Sequence, residues 1–289
     1  MEAIPFDPIQ AYRAETFRFR PGKRLTSREE AVAYVNERGF VHFWPIRNVL
    51  LPSLWGAVAG DRPVADAHDD PGHITWEWKD SLLGSDQWYY AKVLRKRATM
   101  IAMRTAPFFY ALSENYGSTE DDHILLYEQG RLTQEAKSVY QAVLDNGPLD
   151  TIALRRAARL SSPESEARFN KAITDLQAGF LLVPVAVTQA GAWHYAFAYD
   201  IATRHYPELP EQARYIGELD ARRELVRQYF QTVGAAQLRN VTMLFGWSPP
   251  EAEAAIQHWV KAGLVRQVEI ESLPGMWYVL CQLIGKNRE

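Results

Sequence analysis

Few segments of this 289-residue chain gather side chains that could do chemistry. The run His68-Asp69-Asp70-Pro71-Gly72-His73 places imidazoles and carboxylates in one loop, ligand types suited to zinc or iron. Its spacing fits no metal motif, and Pro-Gly marks a turn, so a solvated loop is expected, with no metal and no cofactor. A second kind of segment is basic. Lys92, Arg95, Lys96, Arg97 and Arg104 fall in one short stretch, Arg155, Arg156 and Arg159 in another, and Arg168 and Lys171 lie on a predicted helix. Such runs are solvated helix faces or, lined along one groove, contacts for phosphates. Phosphate-binding glycine loops, dinucleotide fingerprints, nucleophile elbows and Cys-x-x-Cys pairs are absent from the sequence.

The elements that would position these residues are written twice. Residues 162–199 and 248–280 each open with Ser and Pro, continue through a helix closed by Ala-Gly, and pass into two strands joined by a Gly-containing turn. Ser248 with Glu251 forms a capping box and Pro249 suits the first helical turn. Ile256, Trp259 and Val260 then share a face, and Gly263 supplies a left-handed stop. Phe169, Ile173 and Leu176 make the matching stripe, ended at Gly179. The turns at Gln189-Ala190-Gly191 and Leu273-Pro274-Gly275 lead into return strands carrying Trp193/Tyr195 and Trp277/Tyr278. Upstream, Thr133 and Thr151 cap helices before the first copy, and stripes through Leu225–Val233 and Leu238–Phe245 precede the second. Three helices and a hairpin outline a winged helix, a module that most often binds nucleic acid.

Composition bounds the reading. The 47% hydrophobic fraction and nine Trp supply a buried core. A single cysteine, Cys281, excludes an intramolecular disulfide and suits a cytoplasmic protein. No apolar run reaches membrane-span length, and the start lacks the order of a signal peptide. The net charge of −3 is not that of a strongly basic DNA-binding domain, so local clusters must do any phosphate binding.

The stretch GRLTQEAKSVYQAVLDNGPLDTIALRR, the two helix–hairpin repeats and GFVHFWPIRNVLLPSLWGAV follow one another from about residue 26 to about residue 280. In that order they resemble the bacterial winged-helix DNA glycosylases of the AlkZ/YcaQ type, which excise alkylated purines and unhook interstrand crosslinks. The resemblance implies a mainly α chain with small β-hairpins (α+β), built as three tandem winged-helix modules. Residues 1–25 would be an N-terminal arm, 26–130 an elaborated first module, 131–205 the second and 206–289 the third. It implies double-stranded DNA, damaged or intact, as partner, with Lys92, Arg95, Lys96, Arg97, Arg168 and Lys171 on its phosphates.

The departure from the family pattern concerns catalysis. Where the family carries Gln-x-Gln or Gln-x-Asp, this chain has His42-Phe43-Trp44, and the family's later His-Glu pair falls near Trp76-Glu77-Trp78-Lys79-Asp80. A glycosylase must stabilise an oxocarbenium-like sugar and hold a water, which calls for a carboxylate or amide. Three readings follow: His42 with Glu77 or Asp80 forms an altered site, with Trp44, Trp76 and Trp78 stacking on a displaced base; catalysis is lost and the chain binds DNA for structural or regulatory purposes; or His42 and the tryptophans are core residues of the first module. Use of the scaffold as a protein-interaction module is a fourth.

Overall fold

A helix closing on glycine, a short strand, two further helices and a hairpin follow one another twice in the C-terminal half of the chain. The computed structural model describes residues 3–67, 69–113, 115–191 and 194–284. The first copy comprises helix Gln134–Asn146, strand Leu149–Asp150, helices Thr151–Ala157 and Glu166–Ala178, and strands Leu182–Thr188 and Ala196–Ile201. The second comprises helix Glu218–Val233, strand Ala235–Ala236, helices Leu238–Phe245 and Pro249–Lys261, and strands Val265–Ile270 and Leu273–Leu280. In each copy the last strand lies antiparallel between the other two. The same order of elements runs a third time along the chain, from helix Arg28–Arg38 to strand Thr99–Ile101. The architecture is α+β, mainly helical with small antiparallel three-stranded sheets.

Helix starts follow side-chain chemistry. The Ala136 amide donates to Thr133 Oγ1 at 3.2 Å. At Ser248 the full capping box forms, with the Ser248 amide and hydroxyl donating to Glu251 Oε2 at 2.8 and 2.7 Å. The first copy departs from its expected start. Three residues after Ser162 stands Ser165, not a glutamate, and its hydroxyl donates to the Ser162 carbonyl at 2.7 Å. With Ser165 in place of a glutamate at that position, Pro163–Ser165 tightens into a 3₁₀ turn and the α-helix begins at Glu166. Asp150, not Thr151, caps the shorter helix, its carboxylate accepting from Ile152 N and Ala153 N at 2.8 and 2.9 Å. Thr151 instead donates to the Phe197 carbonyl at 3.1 Å.

The stops differ as well. Gly263 takes the left-handed conformation (φ 74°), and the Leu264 amide reaches back to Trp259 O at 3.0 Å. In the first copy Gly179 has φ −88°, and Phe180 occupies the left-handed position (φ 57°) before Leu181 N reaches Leu176 O at 2.9 Å. A non-glycine residue there costs about 1–2 kcal/mol. Burial compensates, since the Phe180 ring is 1% exposed and stacks on Tyr89 at 4.7 Å. The strand aromatics are likewise offset: Leu149 pairs with Tyr199 as Ala235 pairs with Val279, so Tyr278 matches Ala198 in register rather than Tyr195. Trp193 lies outside the described residues.

By backbone contacts the chain forms two compact units, residues 77–216 and residues 1–76 with 217–289. The first is packed around Val139, Tyr140, Leu154, Phe169, Leu176 and Leu182. The second has Val35, Phe40, Trp55, Leu225, Tyr229 and Val279 fully or nearly fully buried. Within it helix Asp7–Thr16 docks beside helix Glu218–Val233. Arg13 donates to the Val233 and Ala235 carbonyls at 2.9 and 2.7 Å, satisfying acceptors that helix ends leave open. Ile4 bonds through its amide to Glu269 O at 3.0 Å and through its carbonyl to Glu271 N at 2.9 Å. Among the described residues no helix is long and apolar enough to cross a membrane.

Candidate functional site

Gly39, at φ 83°, turns helix Arg28–Arg38 sharply into strand Phe40–His42. His42 is 1% exposed, and its amide donates to Pro52 O at 3.0 Å. Ser53, bridged to His42, caps helix Leu54–Ala59 by accepting from Gly56 N at 3.0 Å. The imidazole therefore sits inside the packed interior of its unit. Trp44 is half-buried in an aromatic cluster, with ring centroids 4.8 Å from Phe43, 5.9 Å from Trp76 and 6.1 Å from Trp55. Trp55 is fully buried, while Trp76 is 38% exposed and forms the open edge of the cluster.

The His/Asp loop serves this cluster. Asp70 accepts from Arg62 at 2.7 Å and from Gly72 N at 2.8 Å, and Arg62 lies over the Trp55 ring at 4.8 Å. A Cβ on Gly72 would come within 2.6 Å of Trp55 Nε1, so the Pro-Gly turn is pressed onto the indole. His73 Nε2 is 3.1 Å from Ala65 O, and its ring meets Trp44 edge-on. His68 lies outside the described residues. Among the described residues no three His, Cys, Asp or Glu side chains converge on a metal position.

Helix Ile74–Ser81 sends Trp76 and Glu77 outward, while Trp78 is 6% exposed. Asp80 is already engaged. The ammonium of Lys79, itself 1% exposed, bonds to Asp80 Oδ1 and donates to Tyr195 Oη at 2.9 Å. Tyr195 donates to the same carboxylate at 3.0 Å. Lys79 Nζ also stands 4.6 Å from the Phe197 ring centre and 5.4 Å from that of Tyr90, a cation–π arrangement. Burial pulls the Lys79 pKa below the usual lysine range, and Asp80 opposes that fall. Burial and the Asp80 charge push the Tyr195 hydroxyl the other way, up. The sequence reading missed Lys79, because its partner Tyr195 is 116 residues away.

The basic residues of unit 77–216 converge better than their separation in sequence suggests. Strands Tyr89–Ala91 and Thr99–Ile101 pair, and the loop between them packs on helix Glu166–Ala178. Buried Thr99 ties that loop, accepting from Leu94 N at 3.2 Å and donating to Arg97 O at 2.8 Å. Arg95, Lys96 and Arg97 project from it, exposed. The Lys92 amide bonds Gln177 Oε1 at 3.2 Å, and its ammonium lies 3.4 Å from Thr174 Oγ1. Partial burial, then nearby Arg97, lowers the Lys92 pKa. Lys96 reaches Asp175 at 2.5 Å, and Lys171 pairs with the same carboxylate. Arg168, on the exposed face of the helix, pairs with Glu135 at 3.0 Å. Asp175 was not singled out in the sequence, although its spacing from Lys171 is that of a helical ion pair.

The fold resembles that of the Streptomyces sahachiroi DNA glycosylase AlkZ, with a TM-score of 0.61 at 11% identity over 97% of this chain and 71% of that one. A sequence profile described as AlkZ related matches residues 25–246, and the chain belongs to that family. No curated protein matches the sequence.

Proposed function

We propose that this protein is a DNA-binding member of the AlkZ-related family, built as three winged-helix modules and acting in the handling of damaged bases. The element order repeated along the chain and the family membership support the module reading. The observation that carries DNA binding is the convergence of Lys92, Lys96 and Lys171 on the outer side of helix Glu166–Ala178. Arg95, Arg97 and Arg168 extend this cationic surface, whose local charge is independent of the chain's net charge of −3. Phosphates neutralised there would release counterions, making affinity fall steeply with salt. Trp76, with Trp44 behind it, offers an indole face to an unstacked base.

Base excision through an altered site is the second reading, and the exposure of Glu77 one residue beyond Trp76 favours it. A carboxylate open to solvent can hold or deprotonate the water that attacks the sugar C1′ as the base leaves. Asp80, paired with Lys79 and Tyr195, is the poorer candidate, and His42 would act from a buried position.

The test incubates the protein with duplex DNA carrying N7-alkylated purines and scores abasic sites by alkaline cleavage, with DNA retention followed across a salt series. Lys96→Ala with Lys171→Ala is expected to reduce the salt slope by about 0.9, the increment of one phosphate contact. An unchanged slope removes the helix face from the interface. Cleavage lost in Glu77→Gln, at unchanged retention, establishes excision. Retention without cleavage leaves DNA binding alone, and neither outcome with any DNA favours a protein partner.

A further inference from the structure

The clustering of Lys96 and Lys171 raises a question of electrostatics, since both ammonium groups are directed at a carboxylate. Lys96 contacts Asp175 Oδ1 and Lys171 contacts Asp175 Oδ2, so each oxygen serves a different lysine. The lysine side chains remain 58% and 64% exposed, whereas that of Asp175 is 19% exposed. The cations face solvent and the anion lies beneath them. Partial burial alone would raise the Asp175 pKa, but the hydrogen bonds from Lys171 and Lys96 hold it below the usual carboxylate range.

A phosphodiester has the same essentials as this carboxylate, one negative charge shared by two unesterified oxygens, and lysine ammonium groups accept either anion as point charges. The loop that delivers Lys96 is independently set for this task. Arg95 and Lys96 both hold left-handed backbone conformations, φ 56° and 54°. For a side-chain-bearing residue that conformation is sterically costly. Strain of that kind survives where the surroundings over-determine it, and it concentrates at binding sites. Here the Thr99 hydrogen bonds fix the loop from behind.

We infer that Lys96 and Lys171 form a binding site for a single backbone phosphodiester, and that Asp175 is its internal placeholder. Asp175 keeps the two long side chains gathered in the absence of ligand and is displaced from them when a phosphate arrives. The arrangement opposes indiscriminate binding, because each encounter must exchange an existing ion pair for a new one. The inference rests on the proposed DNA binding.

The test is a double-mutant cycle read by retention of an undamaged duplex over a salt series. Asp175→Asn in the otherwise unchanged protein is expected to tighten binding roughly three- to tenfold at low salt. In the Lys96→Ala, Lys171→Ala background the same substitution should change affinity less than twofold. Tightening that persists in that background would show a diffuse charge effect and overturn the placeholder role. Unchanged or weaker binding in Asp175→Asn, with an unaltered melting temperature, would overturn it as well. If the unmodified protein retains no DNA at any salt, the DNA reading fails and this inference with it. Lost affinity together with a lowered melting temperature would make Asp175 a structural residue only, which Asp175→Glu should then rescue in stability without restoring the affinity pattern.

Discussion

Helix Glu166–Ala178 and helix Pro249–Lys261 occupy the same place in two segments of the same element order, yet they handle charge differently. The first gathers lysines at its outer side around a single aspartate, with further exposed cations beside them. The second belongs to a surface of mutually satisfied ions. Arg222 joins Glu218 and Glu251 at 2.9 and 2.7 Å, Arg227 joins Glu224, and Glu253 accepts from the Tyr278 hydroxyl at 2.9 Å. A repeated scaffold thus carries two unlike faces, one with surplus positive charge and one internally neutralised. Apolar spacing and helix stops specify the scaffold, while a few exposed positions decide what the surface attracts.

The network that ties Lys79 and Asp80 of helix Ile74–Ser81 to Tyr195 in the hairpin of the first copy gives the strongest way to break this comparison. Asp80→Ala leaves the Lys79 ammonium buried without its carboxylate and should cost about 3 kcal/mol in a urea titration. Lys79→Met, which removes the charge and keeps the packing volume, should be far milder. In the second copy, Glu253→Ala removes an exposed-edge acceptor from Tyr278 and should cost about 1 kcal/mol. Equal losses for Asp80→Ala and Glu253→Ala would mean that the two hairpins rely on their polar contacts alike.

Smaller effects sharpen the contrast at the helix ends. Ser248→Ala removes a working capping box and should cost about 1 kcal/mol, measured by the same titration, whereas Ser162→Ala should stay within about 0.3 kcal/mol. Matching losses would show that Ser162 caps its helix after all. At the stops, Gly263→Ala places a side chain at φ 74° and should lower stability by about 1 kcal/mol. Gly179→Ala, at φ −88° with its nearest contact at 3.5 Å, should raise it by about 0.5 kcal/mol. A loss at Gly179 would restore the symmetry that the Ala-Gly dipeptides suggest.

What could be read from sequence is what acts locally. The stripe through Phe169, Ile173 and Leu176 is buried as its spacing requires, and the Ser248–Glu251 box needs only residues three apart. Expectations failed where copying one signal onto a similar string ignored a single residue. Ser165 stands where a glutamate would close the box; helix Glu166–Ala178 does end at Gly179, but the left-handed position there is held by Phe180, which stacks on Tyr89. The site was less legible because its contacts are distant in the chain. Lys96 and Asp175 are 79 residues apart and Lys79 and Tyr195 are 116, separations at which no periodicity carries information. The aromatic cluster was half legible: Trp44 and Trp76 were named and do meet, while Trp55 was not named as a site residue and His73 was read as part of a solvated loop.

The docking of the first helix onto the last repeat has a consequence for how the chain comes into being. Tyr12 and Arg13 find their carbonyl partners 219 to 222 residues downstream, and Ile4 pairs beyond them with the final hairpin. On a ribosome, the unit of residues 77–216 is fully synthesised before those partners exist. The opening segment must therefore wait, its apolar face uncovered, while the middle of the molecule settles. Such long-range closure slows folding and prolongs exposure to aggregation. The helix near the start of the chain thus completes its own unit only after residues 217–280 have been made.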